Sequence, residues 1–207
     1  MLLEQKKAIK DIIDLFDRAE DKVKEVEQLA QELSVPSINE LRYVGYHLAR
    51  SFCENDSKEF DLQISKANSH CKRAIYDAHE IGIIFMLEQI KQFKEKYSDF
   101  SSSVMEVFPS YVEELITVNQ TSIFIAEVRK KHRNDRDAYY EECEPHYLSL
   151  RDIFYKLTVV EPLINQKITE SIKKDQKDTR RFIITTALTV LGIIVGAVVM
   201  FLKLYGA

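Results

Sequence analysis

This chain has little of what builds sheets, tight turns or disulfide scaffolds. Its 207 residues hold five Gly and four Pro, and no stretch alternates polar with β-branched residues, which excludes a β-rich fold. The three cysteines, Cys53, Cys71 and Cys143, are odd in number and far apart, so no disulfide framework is expected. No Gly-rich phosphate loop and no G-x-S-x-G nucleophile turn occurs, and the common nucleotide-binding and serine-hydrolase patterns are therefore missing. Positive charge is not in excess either. The 29 Lys and Arg stand against 33 Asp and Glu, a formal charge of −4, which gives no global attraction for nucleic acid. The first residues, MLLEQKKAIKD, become charged before an apolar signal core can form, and no signal peptide is expected there.

What remains reads as helix, because Glu, Lys, Gln, Leu and Ala dominate long breaker-free stretches. The most informative of these runs from Phe182 to Leu202, FIITTALTVLGIIVGAVVMFL, 21 residues without a charge. That length crosses a bilayer as one helix. Lys173, Lys174, Lys177, Arg180 and Arg181 precede it and Lys203 alone follows, an asymmetry that marks the preceding side as cytoplasmic. Within the run, Gly192 and Gly196 form GIIVG, the spacing of small residues that lets two membrane helices approach closely. Thr185, Thr186 and Thr189 are milder polar points, and any pore wall built from this helix is uncharged.

The expected organisation is an all-α, long-helix bundle with one membrane helix. Residues 1–36 form a long amphipathic helix, 37–165 the bundle, 166–181 a basic juxtamembrane helix, 182–202 the span and 203–207 a short tail. In the first helix Ile9, Ile12, Phe16, Ala19, Val23, Val26, Ala30 and Leu33 follow a 3,4 spacing, which suits packing on the body or between subunits. Pro36 ends it, and Ser37 with Glu40 fits a capping box for a second helix from about Ile38. A third helix spans about Lys58 to Tyr97, with IGIIFML (81–87) at the bundle centre and Gly82 as a close-packing point or slight kink. Ser98 to Ser110 reads as a linker. A fourth helix runs from Tyr111 to Glu144, stopped by Pro145; a fifth covers His146 to about Val160, and Pro162 opens the last.

Three clusters carry candidate chemistry. On the third helix His70, Arg73, Asp77 and Glu80 are spaced 3, 4 and 3, one face that forms either a polar groove or a solvated side. In VRKKHRNDR, Arg129, Lys130, Lys131 and Arg133 offer a phosphate or subunit contact, while Glu141, Glu142 and Glu144 give the same helix an acidic end. Cys143 and His146 in ECEPH fall short of the four ligands of structural zinc, so no metal site is assigned. No cofactor is implied.

Arg73 and His79 in RAIYDAH resemble the Arg and His motif of the HEPN superfamily of helical bundles, and Arg42 to His47, RYVGYH, is a second formal match. The whole chain is similar to small membrane-anchored accessory or effector proteins of CRISPR and other antiviral systems. That resemblance implies a HEPN-like body over about residues 38–165, assembly into homo-oligomers that perturb the inner membrane, and RNA or a defence effector complex as further partners. For Arg73 it implies binding of a scissile phosphate and for His79 proton transfer at an RNA 2′-hydroxyl. Against this, Ala74 follows Arg73 where such nucleases favour a polar residue, and a helix ion pair with a core histidine is the structural reading of the same two positions. Three functions follow: membrane effector, membrane-tethered ribonuclease, and passive anchored adaptor.

Overall fold

The computed structural model describes residues 3–54, 56–132 and 136–205. Among these residues there are six α-helices, a single 3-10 turn at Ser98–Phe100 and no strand. They fall into two compact units, Met1–Asp99 with Ser110–Thr158, and Phe100–Pro109 with Val159–Ala207.

In the first unit, α1 (Leu3–Ala30) buries Ile12, Leu15, Ala19, Val23 and Val26. The seam is shifted from expectation at both ends. Leu15 is buried where Phe16 is half-buried, and Leu33, 70 % exposed, lies beyond the helix. Gln31 ends α1 by taking a left-handed backbone, φ 55, the conformation that closes many helices.

The second helix, α2 (Val35–Ser51), starts earlier than expected and the Ser37/Glu40 capping box does not form. Ser34 is the N-cap, its backbone N–H donating to Glu27 Oε1 at 2.9 Å. Ser37 Oγ accepts from Ser34 Oγ at 2.6 Å, and Glu40 is spent on His70. Pro36 sits in the first turn, where a missing N–H costs nothing.

The backbone of the unit is α3 (Ser57–Lys96), 40 residues capped by Asp56, whose carboxylate accepts from the Lys58 N–H at 3.0 Å. ENDSKEF reads as a turn near Asn55 to Ser57 between the second and third helices, and of these Asn55 lies outside the described residues. Both α1 and α2 pack along α3. Within IGIIFML, Gly82, Ile83 and Met86 are buried, but Ile84 is 61 % exposed, so the segment is central on one side only. Gly82 is a close-packing point: an added Cβ would stand 2.8 Å from the Tyr147 ring and 3.2 Å from Val26.

The later helices differ most from expectation. α5 (Tyr111–Lys131) stops at His132, whose N–H closes on Val128 O at 2.9 Å, and α6 (Arg136–Tyr205) runs through both Pro145 and Pro162. The sign reversal along 129–144 straddles the break between the two helices. Within one helix the basic and acidic stretches would stay apart, whereas Lys131 and His132 at the end of α5 both reach Glu142 of α6 at 2.7 Å. Pro145 is tolerated because it forfeits one backbone bond while Tyr139, Cys143, Tyr147, Leu150, Ile153 and Leu157 are buried around it; such packing outweighs a cost of about 3 kcal/mol.

In the second unit, the expected linker is largely helical, with α4 (Ser101–Val107) burying Val104. Lys167 of α6 pairs there with Glu106. Ile164 is buried, but from Thr169 to Met200 every residue of α6 is exposed. This helix is long and apolar enough to cross a bilayer: its most apolar 18-residue window has a mean hydropathy of 2.5 and none of it is buried.

Candidate functional site

The densest polar constellation lies inside the first unit, where α1, α3 and α6 meet. Lys22 and Glu25 flank the buried Val23 and Val26 of α1, His79 faces inward from α3, and Tyr140, Glu144, Tyr147 and Arg151 come from α6. Lys22 Nζ stands 3.1 Å from Glu25 and 3.4 Å from Glu144, and 4.4 Å above the Tyr147 ring. Tyr147 Oη donates to Glu25 Oε1 at 3.1 Å, and Arg151 pairs with the same carboxylate.

His79 is fully buried, with its ring 4.7 Å from Tyr147 and 5.1 Å from Tyr140. Its Nε2 lies 3.1 Å from Glu144 Oε2, within ion-pair reach, yet neither ring nitrogen nor that oxygen has an aligned hydrogen bond. Burial works to raise the Glu144 carboxyl, but the His79 imidazole and the Lys22 ammonium hold it down at about 2. Burial, helped by Glu144, pushes the Tyr140 phenol up to about 12, and burial with Glu25 raises Tyr147 further. The network is thus a set of fixed charges around a secluded imidazole.

The predicted catalytic pair is not brought together on one accessible face. Arg73 is exposed on α3, whereas His79, six residues on, is buried. Nor do His70, Asp77 and Glu80 line one groove. His70 Nδ1 is 2.6 Å from Glu40 Oε2 of α2 and stacks between Tyr43 and His47, each 5.2 Å away. Asp77 is half-buried. Glu80 turns the other way, taking the Tyr139 hydroxyl and Arg129. In the second RNase-like match, Arg42 lies over the Tyr43 ring and His47 Nδ1 meets Gln63 Oε1 at 2.7 Å.

Of the basic cluster, Arg129 pairs with Glu80 and Lys131 with Glu142, Lys130 is exposed, and Arg133 lies outside the described residues. Cys71 and Cys143 are buried, and burial pushes both thiols up to about 11, which leaves them protonated and unreactive. Among the described residues no group of three or more His, Cys, Asp and Glu could hold a metal. Gly192 and Gly196 face open space, with no atom within 4 Å of an added Cβ.

Sequence reasoning singled out His79 but missed Lys22, Glu25, Tyr147 and Arg151 as its surroundings. A usable signal was present: Lys22 and Glu25 sit three apart against the apolar stripe of α1, and Glu144, Tyr147 and Arg151 repeat at three and four.

The fold therefore defines an all-α bundle carrying one helix of membrane-spanning length. Comparisons with family models, with characterised proteins and with solved structures returned no match.

Proposed function

We propose that this chain is a single-pass membrane protein with its helical body on the cytoplasmic side, and that copies associate through the membrane helix to act as an effector that perturbs the bilayer. The observation that carries this reading is the state of α6 beyond Val159: one unbroken helix whose apolar residues from Phe182 to Met200 are all exposed. In water such a surface is far larger than the apolar patches soluble monomers tolerate, whereas in lipid it is matched. The five basic residues at 173–181 support the orientation. The open faces of Gly192 and Gly196 support helix association. The role in antiviral defence follows from the resemblance.

A ribonuclease of the kind the resemblance implies requires His79 to reach an RNA 2′-hydroxyl, and a fully buried imidazole lends that reading no support. The test is absolute mass in mild detergent, paired with dye leakage from vesicles containing the full-length protein. A discrete assembly of several copies that leaks dye is the expected result. A monomer that leaves vesicles intact overturns the proposal and leaves an adaptor.

A further inference from the structure

The helix that approaches the membrane is charged on nearly every side. Between Glu170 and Arg181 the uncharged positions are Ser171, Ile172, Gln176 and Thr179. The last three are spaced four and three, and the same alternation continues without interruption through Ile183, Thr186, Val190, Ile193 and Ala197. A strict alternation of three and four is the 3.5-residue repeat of a coiled-coil seam. Every one of these residues is helical and exposed.

We infer that this seam docks against the same seam of a second copy, as a parallel two-helix coiled coil that begins outside the bilayer and passes into it. The inference rests on the membrane-spanning reading above, because insertion gives every copy the same direction and so makes parallel pairing the available one. Charge selects the register. In a parallel pair the residue just before one seam position meets the residue five further along in the other chain. Asp175 precedes Gln176, and Arg180 follows Thr179. Asp175 therefore meets Arg180 of the partner subunit, and twofold symmetry makes the contact twice. A shifted register loses both pairs.

Gln176 faces its own copy at the centre of the aqueous part of the seam. Two side-chain amides there donate and accept mutually, and a polar residue at such a position fixes register at some cost in affinity. By contrast, Thr185 and Thr189, which lie off the seam, donate to carbonyls of their own helix at 2.9 Å and need no partner.

This seam is not the GIIVG face. At about 100° per residue, Gly192 and Gly196 lie roughly 120° around the helix from Val190, Ile193 and Ala197. A membrane helix with two separate association faces links copies beyond a dimer, which is the assembly the proposed function needs.

The test uses the full-length chain in native membranes with the exposed Cys53→Ser, scanning single cysteines from Ile172 to Ile183 for oxidative crosslinking. Crosslinking maxima at Ile172, Gln176, Thr179 and Ile183 are expected. Arg180→Asp is expected to lower the yield at the seam roughly threefold or more, because it puts like charges face to face. The exchange Asp175→Arg with Arg180→Asp restores it. Uniform crosslinking, maxima at Lys174, Lys177 and Arg181, or no crosslinking while detergent mass still shows an assembly would overturn the seam and leave the proposed function standing. A monomeric mass removes both.

Discussion

His79 Nε2 stands 3.1 Å from Glu144 Oε2 inside the first unit, and this contact joins α3 to α6. The carboxyl of Glu144 is held down at about 2, against burial that works to raise it, by His79 and Lys22. A folded-state value below the ordinary 4.5 means that the charged form is favoured by folding. The stabilisation is complete above about pH 4.5 and is lost as pH falls toward about 2. Glu25, lowered by Lys22 and Arg151 despite its burial, adds to the same limb. Because Glu144 is partly solvated, Glu144→Gln should cost about 1–2 kcal/mol at neutral pH and flatten the acid limb. Urea midpoints measured from pH 2 to 7 check this, and an unchanged acid limb in the variant refutes it.

Gly82 gives a test of packing alone. Alanine gains about 1 kcal/mol of helix propensity at an ordinary site. Here its Cβ meets the buried Tyr147 ring at 2.8 Å and Val26 at 3.2 Å. Overpacking of this kind costs about 1–3 kcal/mol, so Gly82→Ala should lower thermal stability. A raised melting temperature would show that Tyr147 yields easily.

The fold was legible where local pattern and tertiary packing agree. α1 and α3 follow their apolar spacing, and the apolar run of α6 follows from composition alone. Pro145 misled because the rule for an isolated helix predicts a stop, whereas Tyr139, Cys143, Tyr147 and Leu150 bury enough surface to carry the helix through. Lys131 and His132 at the end of α5 meet Glu142 of α6, a pairing that spacing along one helix cannot reveal. The His79 network was partly legible for a similar reason. Its imidazole comes from a recognisable motif, but Lys22 and Glu25 come from a helix more than 50 residues earlier.

The contacts of Glu80 separate a buried hydrogen bond from an exposed ion pair. Arg129 is 47 % exposed where it meets Glu80, and Arg129→Ala should cost under about 1 kcal/mol. Glu80 also accepts the hydroxyl of Tyr139, which is 1 % exposed. Glu80→Ala takes the carboxylate acceptor from that hydroxyl, leaving it the weaker Cys143 thiol beside Arg129, and should cost about 1–3 kcal/mol. Chemical denaturation of both variants checks the order, and equal losses would mean that the Tyr139 bond contributes nothing.

Leu191 lies near the middle of the apolar run, 57 % exposed. Placing arginine at such a depth costs about 2.5–3.5 kcal/mol of insertion free energy. Leu191→Arg should therefore move a measurable share of the protein from the alkali-resistant membrane fraction into the soluble one. Full retention in the membrane fraction would indicate that neighbouring copies shield the charge.

Gln176 offers the sharpest separation of affinity from specificity in the seam. It is the polar member of an otherwise apolar or Thr-containing line, and it sits between the two predicted Asp175 contacts. Replacing it by leucine adds apolar surface at the centre of the pairing, worth roughly 1 kcal/mol or more per copy. Gln176→Leu should thus strengthen association in detergent. It also removes the amide pair that penalises a shifted alignment, so crosslinking at Ile172 and Thr179 should spread to neighbouring positions. Tighter association with unchanged crosslinking positions would assign the register to Asp175 and Arg180 alone, and weaker association would place Gln176 outside the seam.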